Sequence, residues 1–524
     1  MNHPVITGSV NIKHSPHDSR PFSVSDLAAF LIFIPASFLV YRPVLNRFFV
    51  SDDFKVLYRV CIEQVIFIKR FFRPLSDISI LMNFKLGGLN PIAFNSFNIL
   101  IHGINAYLIY LTCLCFGHSP NFRRRNWFAI ISSILFLCYP FHNEAIVWIL
   151  GRGATMACLF SLLAIISYYK IKKNWQKMTA VCLFYFISMT AFESTIFLPV
   201  IFVLILISDH QKKRVMLKWF SLLCLTLVLQ ISVRIMISGS VLGSYGEDFF
   251  QAGWKAYLLN IAKVGGRLVF PPSDNTILIS ALFVLLISLA LLFLLRNFQR
   301  IRLNPKGRNI FYLSGMLFIS CIIPFITGIS TRTSETDRIL YFPSVFLCMI
   351  TGYLLVFWIK NLKIRLILMA GILTYNLFFL EMNNMNWIKA SGITHAMVEK
   401  IRSANLNGRM FFLNIPDEIN GAYVFRQGFP FALRLYGMDS NRFIAVNYLP
   451  RQDLDKMKGK LVLHQERATF ELPPDIIVKS DSNGCRQFYD HGILKFTARP
   501  GDLIYYWDIK QLENIQACSL RSPG

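Results

Sequence analysis

Ser51-Asp52-Asp53-Phe54 sets two adjacent carboxylates just past the first long apolar run of the chain. An acidic pair at a water–lipid boundary has no packing use. It can hold a base against a substrate whose tail stays in the bilayer. Neighbours on a chain point in different directions, so only one of Asp52 and Asp53 suits that role. The competing reading is an N-cap for the helix that follows, and the two are compatible.

Further charged residues recur near the ends of other apolar runs. His142 and Glu144 share a tight turn, Phe141-His142-Asn143-Glu144, and Gly151-Arg152-Gly153 follows. Arg152 is expected about two helical turns into the next span. A lone arginine at that depth is costly unless it faces water or is paired. It therefore lines a wet cavity, or pairs with Glu144 or Glu193 between helices. Glu193 lies between two short apolar runs. Arg338 follows Glu335 and Asp337, and is either an anion ligand or a partner of Glu335. Arg73 precedes Pro74. Lys263 and Arg267, four residues apart, share a helix face that either attracts an anionic headgroup or snorkels to the interface.

Moving a group from a lipid-borne phosphate to a hydroxyl needs such a set. The leaving phosphate is already a stable anion, so no strong general acid is required. One carboxylate accepts the hydroxyl proton, and arginines or lysines offset the charge growing on the phosphate. The acidic pair with His142 and Glu144 also admits a divalent cation, although no metal-ligand spacing compels one.

These residues need a scaffold in lipid. The chain is 54% hydrophobic and 16% charged, with mean hydropathy +0.47. A soluble domain is nearer a quarter charged, and crossing a bilayer takes about 20 apolar residues. The net charge of +25 invites a nucleic-acid partner, but its distribution argues against one. Basic residues cluster at 123–125, 170–177, 212–214, 296–308 and 360–365, in every second loop, so these loops are expected to be cytoplasmic. Residues 1–26 read as a cytoplasmic tail without a cleavable signal.

Spans are expected near 27–47, 91–117, 126–140, 144–169, 178–192, 194–208, 216–237, 276–296, 309–328, 339–359 and 364–382. The fold class is thus a polytopic α-helical membrane protein of about eleven helices, occupying 27–382. Long outer loops fall at 48–90 and 238–275. In the first, Phe54, Leu57, Tyr58, Cys61, Val65 and Ile68 recur at helical spacing as an interfacial amphipathic helix. A second short helix runs from Pro74 to Gly87-Gly88. In the second loop a helix is expected near 249–268. From 383 to 524, short apolar runs at 410–415, 443–446, 475–478, 493–496 and 503–507 read as strands of an extracytoplasmic α/β or mostly β domain. Most cysteines lie in spans as apolar filler. Cys485 and Cys518 lie in this last region, where a disulfide is chemically permitted.

The ordered segments resemble a known family. Phe49-Val50-Ser51-Asp52-Asp53, Phe72-Arg73-Pro74-Leu75-Ser76 and Leu86-Gly87-Gly88-Leu89-Asn90-Pro91 lead on to Asn98 and His102. Pro140-Phe141-His142-Asn143-Glu144-Ala145, Gly151-Arg152 and Asp337-Arg338-Ile339-Leu340-Tyr341-Phe342-Pro343-Ser344 follow. Together they resemble the membrane region of the transmembrane and tetratricopeptide-repeat O-mannosyltransferases, GT-C-fold enzymes of the protein O-mannosyltransferase superfamily. That resemblance implies a polyprenyl-phosphate-linked sugar donor, inverting transfer and an acidic base in the first outer loop. It favours Asp52 as the base, and Arg73, Arg152 and Arg338 as donor-phosphate ligands. The chain departs from the pattern at Phe192, where a lysine is often found, and in its C-terminal region, which lacks the helical repeats.

The expectation is a glycosyltransferase of the inner (plasma) membrane. Its N-terminus is cytoplasmic, its C-terminal domain is periplasmic, and its acceptor is a protein or glycan. A transporter or flippase of a polyprenyl-linked sugar would also use basic headgroup ligands, but it explains one-sided acidic residues less well. A non-catalytic envelope-assembly protein is the third reading.

Overall fold

The computed structural model describes residues 24–116, 122–241, 253–273 and 305–403, parts of 275–288, and short segments within 409–515. Cys485, Cys518 and the basic positions 296–302 lie outside the described residues.

The chain starts with α1 (Val24–Val40), α2 (Asp52–Leu57) and α3 (Pro74–Gly87). It continues with α4 (Pro91–Phe116), α5 (Phe122–Leu137), the single turn α6 (Asn143–Ile146) and α7 (Arg152–Lys170). Next come α8 (Asn174–Ala191), α9 (Leu198–Ser208), α10 (Lys213–Ser238) and α11 (Trp254–Arg267). Then follow α12 (Pro305–Ser320), α13 (Tyr341–Phe357) and α14 (Leu362–Ser403). Pro74 and Pro91 open their helices, where the missing N–H would have had no intrahelical acceptor.

Among the described residues, five stretches are long and apolar enough to cross a membrane: Pro91–Phe116, Ile149–Lys170, Lys213–Ser238, Asp337–Phe357 and Leu362–Ser403. The expected count was about eleven. Helices such as α5 (16 residues) and α9 (11 residues) reach only about 24 and 17 Å at 1.5 Å per residue. The five stretches divide by burial. The apolar windows of Pro91–Phe116, Ile149–Lys170 and Asp337–Phe357 are 72–78% buried, against 17% and 11% for those on α10 and α14. The first three form the interior. α10 and α14 present Leu225, Val228, Leu366 and Ile367 outward, the pattern of helices whose free face meets lipid.

Polar ties cross the interior. Asn105 on α4 donates to the Thr155 carbonyl of α7 at 2.9 Å and to the Tyr341 hydroxyl of α13 at 3.1 Å. His102 Nδ1 lies 2.7 Å from the same hydroxyl. In an apolar interior such satisfied groups fix one register, because shifting a helix would orphan them.

Three expectations are corrected. The span expected at 144–169 is broken: α6 ends at Ile146, a 3-10 turn covers Ile149–Gly151, and α7 starts at Arg152. The break is stable because the Asn98 amide donates to the Ile146 and Trp148 carbonyls, at 3.0 and 3.2 Å. The amphipathic helix expected over 54–68 ends after a π turn at Ile62, and Gln64 turns the chain with φ 57°. α14 does not stop at 382 but runs unbroken for 42 residues. Its polar half finds partners among the loops: Asn383 donates to Pro140 O, Ser391 accepts from Phe48 N–H, and Thr394 donates to Phe49 O. A boundary at 383 would therefore cut a helix.

Beyond α14, strand Met410–Leu413 pairs in parallel with Leu503–Asp508 and with Phe443–Ala445. Leu503–Asp508 also pairs antiparallel with Gln511–Ile515. The short helix α15 (Phe429–Leu435) packs Phe429 against Phe412. The described strands Ile476–Lys479 and Ile493–Lys495 coincide with apolar runs read from sequence.

Gly151 lets α6 fold onto the 3-10 turn. A Cβ there would lie 2.1 Å from the Glu144 carbonyl oxygen and 2.8 Å from Ala145 Cα, both backbone atoms. Gly151→Ala is expected to destabilise by about 1–3 kcal/mol, read as a lower melting temperature in detergent. An unchanged melt would show that the break does not need the glycine.

Candidate active site

At the head of α2, Asp53 N donates to Val50 O at 3.0 Å, closing a tight turn. Ser51 occupies φ 49°, ψ −128°, a region a residue with a side chain seldom enters. Its N–H donates to the Val424 carbonyl at 2.6 Å. The turn sends the two aspartates into different surroundings. Asp53 is buried: its Oδ2 accepts from Val50 N–H at 3.1 Å and stands 3.6 Å from Arg47 Nη2, itself buried. Burial pushes the Asp53 carboxyl up to about 6, against the pull of Arg47. Asp52 is partly exposed. Among the described residues its carboxylate has no hydrogen-bond or ion-pair partner; the Asp417 carboxyl is raised chiefly by its burial, and the like charges of Glu335 and Asp52 add to that.

A second set of charges comes from distant parts of the chain. Glu144 is buried and accepts three hydrogen bonds: from Arg338 N–H at 2.8 Å, from the Arg338 guanidinium, and from Tyr423 Oη at 2.6 Å. The Arg338 guanidinium also covers the Trp148 ring at 5.0 Å. The expected local alternative, Arg338 with Glu335, is not what forms. Glu335 instead binds Arg426 at 2.8 Å, and Arg426 lies 4.0 Å over the Tyr423 ring and 3.8 Å from Glu418.

Glu193 sits between two arginines, Arg73 at 3.0 Å and Arg234 at 2.5 Å. Phe192 lies 4.5 Å beneath the Arg73 guanidinium, so the aromatic residue at that position supports a cation. Arg73 stays partly exposed.

Three further expected site residues are enclosed by protein, as Asp53 and Glu144 are. Arg152 starts α7 rather than lying two turns into it, and it pairs with neither Glu144 nor Glu193. It donates to Ile149 O, Ser79 Oγ, Asn83 Oδ1 and Phe94 O at 2.7–3.2 Å, which bolts α3 and α4 to α7. His142 is buried, with Nε2 2.7 Å from Ser344 Oγ and its ring against Tyr341 at 4.4 Å. Arg267 is buried with both Asp337 oxygens, at 2.8 and 2.6 Å. Lys263, one turn away on α11, is partly exposed, so the two do not act as one basic pair. Among the described residues no group of three or more His, Cys, Asp or Glu is placed to hold a metal ion.

Sequence reading missed Arg47, Arg234, Asp417, Tyr423 and Arg426. The last three lie among short strands and turns, where nothing in the local pattern signals proximity to Asp52 or Glu144.

No family model matches the chain. A stretch of 99 residues, 19% of the chain, is 34% identical to mouse protein O-mannosyl-transferase TMTC1 and covers 10% of that protein. Human protein O-mannosyl-transferase TMTC2 is 31% identical over 99 residues, 11% of its length. Drosophila melanogaster protein O-mannosyl-transferase Tmtc1 is 27% identical over 105 residues, 12% of its length. The chain is therefore similar to the TMTC O-mannosyltransferases over about a fifth of its own length, and the match spans about a tenth of theirs. Among solved structures, ArnT from Cupriavidus metallidurans bound to undecaprenyl phosphate overlaps it with TM-score 0.45 at 10% identity, covering 83% of this chain and 91% of that one.

Asp53 carries a signed pH dependence. Its folded value of about 6 exceeds the ordinary 3.8, so the fold favours the protonated form. Its stabilising contribution is complete below pH 3.8 and is lost as pH rises through about 6. Across that window the melting temperature of the wild type should fall relative to Asp53→Asn. Parallel melting curves would contradict the burial of this carboxyl.

Proposed function

We propose that this chain is a multi-pass membrane glycosyltransferase with Asp52 as its general base. The observation that carries this reading is the contrast within the acidic pair. Asp53 is buried and tied to Arg47, whereas Asp52 offers a partly exposed carboxylate without a partner among the described residues. Similarity to the TMTC O-mannosyltransferases supports the reaction class and a protein acceptor; the polyprenyl-phosphate-linked sugar donor is the one implied by the resemblance of the ordered sequence segments.

In the proposed reaction the acceptor hydroxyl attacks the anomeric carbon as Asp52 takes its proton. The bond from that carbon to the phosphate oxygen breaks, and the lipid phosphate leaves with the electron pair. The sugar inverts. Arg338 and Arg73 are the proposed phosphate ligands. Each is partly exposed, and each is oriented by a carboxylate and an aromatic ring. Arg152 is assigned the structural role its four internal hydrogen bonds describe. The site is placed on the extracytoplasmic face, since the basic loops point the other way.

The test is sugar release from a panel of labelled polyprenyl-phosphate sugars by purified protein in lipid, with envelope extract as acceptor. Asp52→Asn should lower transfer by about 10²–10⁴-fold with the melting temperature kept. Arg338→Ala and Arg73→Ala should each cost about 10²–10³-fold. Donor that binds but is never consumed by folded wild type would instead indicate transport.

A further inference from the structure

The C-terminal part of the chain touches the base turn through backbone. Residues 418–423 form a short hairpin, Glu418–Ile419 against Ala422–Tyr423. It returns through Val424 and Phe425 to Arg426, and from Gly428 into α15. Val424 N–H is held by Asp417 O at 2.9 Å, and the Val424 carbonyl accepts the Ser51 N–H. Phe425 lies over Phe54, one turn of α2 away, at 6.0 Å. Gly428 approaches so closely that a Cβ on it would stand 2.0 Å from Ser51 O and 2.6 Å from Ser51 C. Both are backbone atoms, which cannot swing aside as a flexible side chain would.

We propose that this segment, through the Val424 carbonyl and the bare face of Gly428, is a clamp that holds Ser51 in its strained positive-φ conformation and so aims Asp52. The inference rests on the proposed role of Asp52 and adds positioning residues to it. Ser51 needs a clamp because φ 49° costs a residue with a side chain about 1–3 kcal/mol unless its surroundings over-determine it. Val424 and Gly428 over-determine it through the two peptide groups that flank its Cα, one accepting its N–H and the other pressing on its carbonyl. The clamp is anchored away from the turn. Tyr423 Oη binds Glu144, and Arg426 binds Glu335, so the turn, the 330–340 loop and the hairpin move together or not at all. The C-terminal region is then part of the reaction site, not only a recognition module beside it.

The test uses the full chain in lipid. Hydrogen exchange is followed in the peptide covering residues 48–57, beside kcat and KM for a polyprenyl-phosphate sugar. Gly428→Ala should speed exchange there by about tenfold or more. It should lower kcat by about 10²-fold, the cost of misplacing a catalytic group by an ångström, with KM within about threefold. Arg426→Ala, which leaves the turn's own contacts intact and loosens only the anchor, should give a smaller loss of the same kind, partly restored in Arg426→Lys. Exchange in 48–57 unchanged in both folded variants would overturn the clamp, as would losses confined to KM. If folded wild type turns over no donor while exchange still responds to Gly428→Ala, the clamp stands and the transferase reading falls.

Discussion

Glu144 and Arg338 lie 194 residues apart, and their ion pair ties together the parts of the chain that surround the candidate base. Glu144 is fully buried, so it must be saturated by donors. The donors come from the 3-10 turn before α13 and, through Tyr423, from a hairpin 279 residues away. Removing one partner would leave a buried charge, a loss of about 3–5 kcal/mol. Arg338 is fixed by the same pair, and the hairpin that carries Tyr423 also carries the Val424 carbonyl that holds Ser51. One satisfied carboxylate thus sets where the proposed phosphate ligand and the turn of the candidate base can be.

The other charges at this end follow the same constraint. Asp53 has Arg47, Asp77 has Arg59, Glu193 has Arg73 and Arg234, and Asp337 has Arg267. In a low-dielectric setting an unpaired ion is expensive, so pairing is the default for a structural carboxylate. Asp52 has no such partner among the described residues. A carboxylate left unpaired beside a buried, paired neighbour fits a group whose partner is the substrate.

Much of the helical scaffold was legible because its signals are local. α4 begins at Pro91 and ends one residue from the expected limit, and α10 lies within three residues of 216–237 at its start. The turn at 140–143 and the helix from Pro74 to Gly87 also follow from Pro and Gly chemistry. The errors arose where a distant residue decided the local structure. Nothing within 144–152 shows that Asn98 caps a broken helix there. The polar shift near 383 marks where side chains start to meet loops, not where α14 ends. In the site, the charged residue types were legible but their pairings were not. Arg152, for instance, looked like a ligand because a lone arginine in an apolar run must be satisfied, and its acceptors are neutral groups on α3 and α4 and in the turn just before it.

The most direct test of the base assignment is chemical rescue. Sugar transfer by Asp52→Ala and by Asp53→Ala would be measured with rising concentrations of formate, a small carboxylate that can enter the space left by the side chain. The account predicts that formate restores transfer to Asp52→Ala by roughly tenfold or more, replacing the lost proton acceptor, and does nothing for Asp53→Ala, whose defect is in the fold. Rescue of Asp53→Ala alone, or full transfer by Asp52→Ala without formate, would contradict it.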